Sequence, residues 1–567
     1  MESSTQPGKG KTILWLLLAA FAVLWFSNLQ YRILIKPDEG RYAEIPREMV
    51  ESHDWVTPRL NGLKYFEKPA LQYWATAAAY EAFGVHPWTS RLWDALTGFA
   101  GVLLVWFAGA RLFGREAGRY AALLLVGSML YAVMGHVNTL DIGVTFFITL
   151  GIVGLLLGQQ QGAGARTRRN WMYVAWVALG LAMLSKGLIG IVLPGAALFV
   201  YSVLQRDFGI WKRMHWGAGL LLFLAVTAPW FYLVQKANPE FSHFFFYHEH
   251  IERFLTKVHA RYQPWYYFVP VLVFGMLPWT FLMFDTLWRT WKDSARAGAP
   301  AQAAGWRAWF ADKAFNPQRY LLIWTVFIYL FFSRSDSKLP SYLLPMFPAL
   351  ALLMGWQLAT MNARRLFWLL APVLPVLALL LAVAFSSARF ADTPVQQQMY
   401  GEYADWLIAG LLAWLACLAA ALTWLRRGGK LGAVAVLAAG ALAAALLATS
   451  GYNAIARERS AYYVAQAVAP QLKPGMPFYS VKMYEQTLPF YLERTVTLVD
   501  YTDELEFGIK QEPERWVPTL AQFGEAWNKD REAMAIMPLD VVPAVQGLHI
   551  PMKEIYRDHQ YLVVTKP

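Results

Sequence analysis

Cysteine is almost missing: the 567-residue chain has one, Cys417, inside an apolar run. A single thiol excludes an intrachain disulfide and any cysteine-built metal site. Charge is scarce as well. Asp, Glu, Lys and Arg make up 16% of the residues and apolar ones 57%, where a soluble domain is about a quarter charged. That excludes an ordinary water-soluble globule. Acidic residues are the scarcer sign, 38 against 50 basic ones, leaving a net charge of +12. In a soluble chain such an excess raises nucleic acid as a partner. Here the basic residues collect in short loops between apolar runs, the topology signature of membrane proteins, so nucleic-acid binding is set aside. The C-terminal tail contains neither a Gly-rich phosphate loop nor a nucleophile motif. The first apolar run, 12–28, has no small-residue cleavage site and is expected to stay as an anchor.

What is abundant is uncharged sequence. A helix needs about 20 mostly apolar residues to cross a bilayer. Thirteen runs are candidates: 12–29, 90–110, 119–135, 141–158, 171–186, 188–204, 216–235, 265–287, 319–332, 341–358, 366–385, 405–425 and 431–450. Every second loop is basic, holding Lys9 and Lys11; Arg111, Arg115 and Arg119; Arg166, Arg168 and Arg169; Arg206, Lys212 and Arg213; Arg289 to Lys313; Arg364 and Arg365; and Arg426, Arg427 and Lys430. The positive-inside rule puts these loops, and the N-terminus, in the cytoplasm. Thirteen spans then put the tail outside. The opposite loops, 30–89, 236–264, 333–340 and 386–404, are mixed in charge and rich in aromatics, so the working face is expected outside. The expected fold is an all-α multi-pass membrane protein of about 13 transmembrane helices. Residues 1–450 form the membrane domain with external loops 30–89 and 236–264, and residues 451–567 a small soluble α/β domain. In that tail, 477–481, 495–500, 533–537 and 560–565 read as strands, and 484–493 and 519–529 as helices.

The chemistry-bearing residues gather at the external edges. The first external loop opens with Asp38 and Glu39, followed by Tyr42. A pair of acids beside a membrane is commonly a solvated loop, so the pair alone decides little. Further on come Tyr65, Glu67 and Lys68 among aromatics; an interfacial aromatic belt with a snorkelling lysine gives the same pattern. Asp141 opens the fourth span, where a carboxylate also serves as a helix cap. Lys186 sits between two spans and reads equally as a loop charge. The second external loop contains His243, His248, Glu249, His250, Glu252 and Arg253 without an HExxH motif. It is either an amphipathic helix lying on the membrane or, with a carboxylate from elsewhere, half of a metal site. Lys338 and Tyr342 mark the entry to the tenth span.

Taken together these strings form a pattern. PDEGRY (37–42), FEKPALQYW (66–74) followed by AYEAFG (79–84), NTLDIGVTFF (138–147), LSKGLIG (184–190) and SKLPSYLLPMFPALALL (337–353) occur in order, each at a membrane edge. The chain resembles the C-type (GT-C) glycosyltransferases that use polyprenyl-phosphate sugars, in the branch related to protein O-mannosyltransferases. Residues 1–360 carry most of the resemblance. The tail strings FYSVKMYEQTLPFYL (478–492) and LVDYTDELEFG (498–508) make it most similar to the aminoarabinose transferases of lipid A.

That resemblance implies a GT-C architecture in a bacterial inner membrane, with the tail in the periplasm. The implied activity is inverting transfer of 4-amino-4-deoxy-L-arabinose from undecaprenyl phosphate to a lipid A phosphate, which gives resistance to polymyxin and cationic peptides. The implied partners are the lipid-linked sugar donor, the lipid A acceptor and the bilayer. Asp38, Glu39 and Asp141 are then the expected catalytic residues. Lys68, Arg253, Tyr42, Tyr65, Lys338, Tyr342 and Lys186 are the expected substrate-binding residues. No cofactor is required by the pattern; a divalent metal on Glu67 and His248 is an option, since a metal can supply the same charge as a lysine. A leaving lipid phosphate gains charge as its bond to the sugar breaks, which favours preorganised cations such as Lys68, Arg253 and Lys338. An acceptor phosphate is already ionised, so Asp38 and Asp141 are expected to orient donor, acceptor or a cation rather than to remove a proton. Two alternatives stand beside this reading: polyprenyl-phosphate-dependent transfer to protein or another glycan, and a transporter. Transporters bury ionisable residues near the midplane, whereas the spans here have few central charges.

Overall fold

The computed structural model describes residues 9–252, 263–296, 309 and 313–567. All thirteen apolar runs are helical along most of their length. Seven helices are long and apolar enough to cross a membrane, or eight if one bent pair counts as a single span, among the described residues. The chain is a multi-span membrane protein.

In chain order the elements needed below are α1 (Lys9–Phe26), α2 (Asp38–Ser52), a hairpin of β1 (Arg59–Leu60) and β2 (Leu63–Lys64), α3 (Leu71–Phe83), α4 (Pro87–Phe113), α5 (Arg115–Val126), α6 (Met129–Met134), α7 (Leu140–Gly158) and α8 (Ala165–Lys186). The chain divides into two compact units. One comprises Met1–Leu29, Trp93–Tyr232 and Phe246–Gly451, and the other Gln30–Leu92, Leu233–Phe245 and Tyr452–Pro567.

The first unit is helical. Its α7 is buried along most of its length, whereas the helices Ala363–Phe385 and Pro394–Arg426 leave large apolar side chains such as Leu379 and Leu412 exposed. In water such surfaces would be a liability; in lipid they are the outer wall. Small residues let backbones close up. A Cβ at Gly355 would lie 2.6 Å from the Ala117 carbonyl oxygen of α5, which is the small-residue contact typical of membrane helices. Several expected spans are broken. The run 119–135 splits into α5 and α6 at Gly127 and Ser128. The run 265–287 becomes Phe268–Gly275 and Thr280–Asp293, bent by 108°, with Pro278 between them removing a ladder donor. The tenth run starts as a 3₁₀ turn, Pro340–Met346, before becoming α-helical. The run 319–332 is a full helix, Pro317–Arg334, capped by the Asn316 side chain, which accepts from the Arg319 N–H at 3.0 Å.

The second unit holds a six-stranded sheet built from β3 (Phe478–Val481), β4 (Thr497–Val499), β5 (Trp516–Val517), β6 (Met534–Pro538), β7 (Lys553–Arg557) and β8 (Tyr561–Thr565), in the order β5-β4-β3-β6-β8-β7. The β5, β4, β3 and β6 strands are parallel, and β8 and β7 add antiparallel. Phe523, Trp527, Val481, Ala535 and Val564 form its core. The four strands expected from sequence are β3, β4, β6 and β8. The missed β5 is two residues long and β7 is mostly exposed and charged, so neither shows an apolar run. In the same unit Gly40 of α2 sits where a Cβ would be 2.6 Å from the Gln486 backbone. That close approach accounts for the glycine in PDEGRY.

Candidate functional site

In the second unit the chain turns into α2 at Asp38, so Asp38 and Glu39 occupy its first turn, where the helix dipole favours acids. They meet different surroundings. Asp38 is half-buried, with its Oδ1 3.5 Å from Arg41 Nη2. Glu39 is fully buried. Arg32 Nη2 donates to its Oε1 at 2.7 Å, Arg91 Nε donates to the same oxygen at 2.8 Å, and the Ile35 N–H donates to Oε2 at 3.2 Å. Burial alone would push the Glu39 carboxyl up, but the two guanidiniums overcome it and hold the group at about 2. Glu39 is expected from the motif to be catalytic; both its oxygens are taken up by these two arginines, which fits a structural anchor better.

Arg41 is the centre of the cluster. Its Nη1 donates to the Tyr65 hydroxyl at 2.9 Å, and lies 3.2 Å from Glu504 Oε2 and 3.9 Å from Glu67 Oε2. Its guanidinium also stands 5.7 Å from the centre of the Tyr42 ring. Lys68 Nζ donates to the Glu67 carbonyl at 2.8 Å and lies 3.8 Å from the Glu67 carboxylate. Burial raises the Tyr42 and Tyr65 hydroxyls well above their usual range, so both act as neutral hydrogen-bonding groups. Burial also pushes the Glu504 carboxyl up, against the pull of Arg41. The structure therefore brings together Asp38, Tyr42, Tyr65, Glu67 and Lys68. It adds Arg41 and Glu504, which sequence reasoning did not single out although both stand inside quoted motifs. Arg32 and Arg91, the partners of Glu39, carry no motif at all.

In the first unit a second group forms. Asp141 lies in the first turn of α7 and Lys186 is the last residue of α8. Their side chains form an ion pair, an acid at a helix start and a base at a helix end, each favoured by its own helix dipole. The Lys186 ammonium stands 5.2 Å from the centre of the Tyr342 ring. Asp141, Lys186 and Tyr342 are thus grouped, and the residue at the helix cap is Thr139. Lys338 is buried and faces main chain: its Nζ donates to the Gln263 carbonyl at 2.9 Å and to the Ser335 carbonyl.

The backbone His243–Glu252 is a π-helix, so the α-helical spacing that would align residues 248 and 252 does not apply. Arg253 and the His248 side chain lie outside the described residues. Among the described residues no three His, Cys, Asp or Glu side chains converge as metal ligands. Glu67 faces a guanidinium and an ammonium, surroundings that do not fit a divalent ion.

Residues 12–245 match the family model of dolichyl-phosphate-mannose-protein mannosyltransferases, and residues 464–566 that of the aminoarabinose transferase C-terminal domain. An undecaprenyl phosphate-alpha-4-amino-4-deoxy-L-arabinose arabinosyl transferase of Pseudomonas fluorescens, numbered 1, is 32% identical over 70% of each chain. The chain belongs to the aminoarabinose transferase family. A second transferase of that bacterium, numbered 2, is 33% identical over 63% of this chain, and the match spans 58% of that relative's length. The crystal structure of ArnT from Cupriavidus metallidurans bound to undecaprenyl phosphate matches with a TM-score of 0.90 at 38% identity, covering 98% of both chains. The family match thus extends over the membrane helices and the C-terminal sheet alike, and fits the GT-C architecture expected from the motifs.

Proposed function

We propose that this protein transfers 4-amino-4-deoxy-L-arabinose from undecaprenyl phosphate to a phosphate of lipid A at the periplasmic face of the inner membrane. The observation that carries this reading is the near full-length match to a family member crystallised with undecaprenyl phosphate. An oxygen of the acceptor phosphate attacks the anomeric carbon, the bond from that carbon to the donor phosphate breaks, and undecaprenyl phosphate leaves with the electron pair. The configuration inverts. Lys68 offsets the charge that grows on the leaving phosphate, with Arg253 as a second cation. Asp38 and Asp141 orient the charged groups, since an ionised acceptor needs no base. Tyr42 and Tyr65 present ring faces and neutral hydroxyls to the sugar. Arg41 keeps Asp38 and Tyr65 in register.

The N-terminus is placed in the cytoplasm and residues after 451 in the periplasm, from the alternation of basic loops. An alkaline phosphatase fused to the C-terminus is then active; a dead phosphatase with a live cytoplasmic reporter at the same point ends that topology. Expression in a host lacking its own transferase tests the activity. Aminoarabinose on lipid A with restored polymyxin resistance is the expected result. Unmodified lipid A together with a newly glycosylated protein or glycan would replace the acceptor.

A further inference from the structure

The buried face of α2 has one acid too many. Glu44 and Glu48 are one helical turn apart on that face, and both are buried. Arg47 serves only the first of them with direct bonds: its Nε and Nη2 donate to the two oxygens of Glu44 at 2.7 and 2.6 Å, and its Nη1 donates to Glu51 at 2.6 Å. None of these three bonds goes to Glu48. Glu48 receives one neutral donor, the Gly62 N–H, at 2.8 Å on Oε2. Its Oε1 is buried with no hydrogen-bond partner, and so is the Tyr484 hydroxyl. A carboxylate in such a place, beside a second carboxylate and without a bonded cation, lowers its free energy by taking a proton. As an acid, Glu48 has the Glu44 carboxylate for its own O–H.

What Glu48 holds is a junction. Asn61 and Gly62 form the two-residue turn between β1 and β2, both at positive φ (56° and 76°), as a primed hairpin turn requires. The Asn61 side chain donates to the Val496 carbonyl at 2.8 Å and accepts from the Val496 N–H at 2.7 Å, beside β4. We propose that Glu48 is a proton-bearing latch: protonated, it links the Gly62 turn to Glu44 of α2; ionised, it sets two buried carboxylates against each other, a repulsion that outweighs the stronger bond a carboxylate accepts from Gly62 and loosens the helix carrying Asp38 and Arg41. Glu44 and Arg47 from α2 and Tyr484 from the C-terminal segment act on Glu48 itself; Glu51 and Tyr80 of α3 stand beside Glu44, and Arg59 and Arg515 beside Gly62. Burial, then the Glu44 charge, raises the Glu48 carboxyl well above its usual range. The sign follows: a raised folded value contributes stability fully present below the ordinary carboxylate range, and lost as pH rises through the folded value.

The test does not depend on donor or acceptor. Thermal unfolding of the full chain in nanodiscs, followed by tryptophan fluorescence, is measured for wild type, Glu48→Gln and Glu48→Ala from about pH 5 to about pH 8. Glutamine mimics the protonated acid. It is expected to match wild type at the acid end and to exceed it by roughly 2–4 °C at the alkaline end. Alanine, which drops the bond to Gly62, lies below glutamine at every pH. A gap between glutamine and wild type that stays constant with pH overturns the latch. So does a glutamine variant that fails to fold, because an amide keeps every contact the protonated acid makes.

Discussion

Asp141 and Glu39 both stand in the first turn of a helix, yet the two compact units treat them in opposite ways. Asp141 has a direct counter-charge in Lys186, and that pair joins the start of α7 to the end of α8. Glu39 is enclosed by two guanidiniums and a main-chain amide from Arg32, Arg91 and Ile35. A unit whose outer wall is apolar keeps its charges few and sets them at helix ends, where dipoles assist them. A unit with its own sheet and core buries charge as a network, which holds only if every member keeps its partners. Residues that touch substrate and residues that hold the site together should therefore fail differently.

The sharpest break in the comparison is Asp38→Asn. Asp38 is half-buried beside Arg41, unlike its neighbour Glu39. Loss of its charge is expected to lower in-vitro transfer by about 10³-fold, with little change in melting temperature. As a charge anchor it should also weaken donor binding, and the variant should stay poor at every pH. Normal donor affinity with recovery at high pH would restore a general base. Glu39→Gln should show the converse. It strands two buried guanidiniums, so roughly 3 kcal/mol of stability is lost, read as poor expression and early unfolding. In wild type that contribution is present above the ordinary carboxylate value of 4.5 and is lost as the pH falls towards about 2. A Glu39→Gln protein that melts like wild type would refute the anchor.

Lys68→Ala comes next, with about 10²-fold slower transfer at normal expression. Lys68→Arg sharpens the point, because a planar fork does not replace a compact ammonium; full polymyxin resistance in either variant excludes the role. The smallest effect belongs to Lys338→Met. Its ammonium binds the Gln263 and Ser335 carbonyls, so the expected cost is about 1 kcal/mol in unfolding and less than about threefold in transfer. A larger loss of transfer at unchanged stability would return Lys338 to the substrate.

The site was partly legible because its short-range part is sequential. Asp38, Tyr42, Tyr65, Glu67 and Lys68 lie within one loop, and motif strings point to them directly. Asp141 and Lys186 were each visible as a charge at a membrane edge, but their pairing was not, since 45 residues separate them. Arg41 stands inside a motif string, yet nothing local shows that its guanidinium meets Glu67 and Glu504 together. Arg91 lies 52 residues from Glu39 in what reads as the start of an ordinary span. Lys338 is as ambiguous from sequence: a lone lysine at an interface looks alike whether it faces a phosphate or, as its ammonium does here, main-chain carbonyls.

The sequence by itself determined the class. Apolar runs long enough to span a bilayer have one stable solution, the helix, because lipid offers the backbone no other hydrogen-bond partners. Four of the six strands of the tail, β3, β4, β6 and β8, were equally local, written in short apolar runs. Only the tertiary structure decided which charges share a partner. Hydrogen bonds and ion pairs act over a few ångströms in space and are indifferent to distance along the chain. Whether Arg41 meets Glu67 and Glu504, whether Glu39 is walled in, and whether Glu48 must hold a proton were settled when α2, the hairpin and the C-terminal segment packed together.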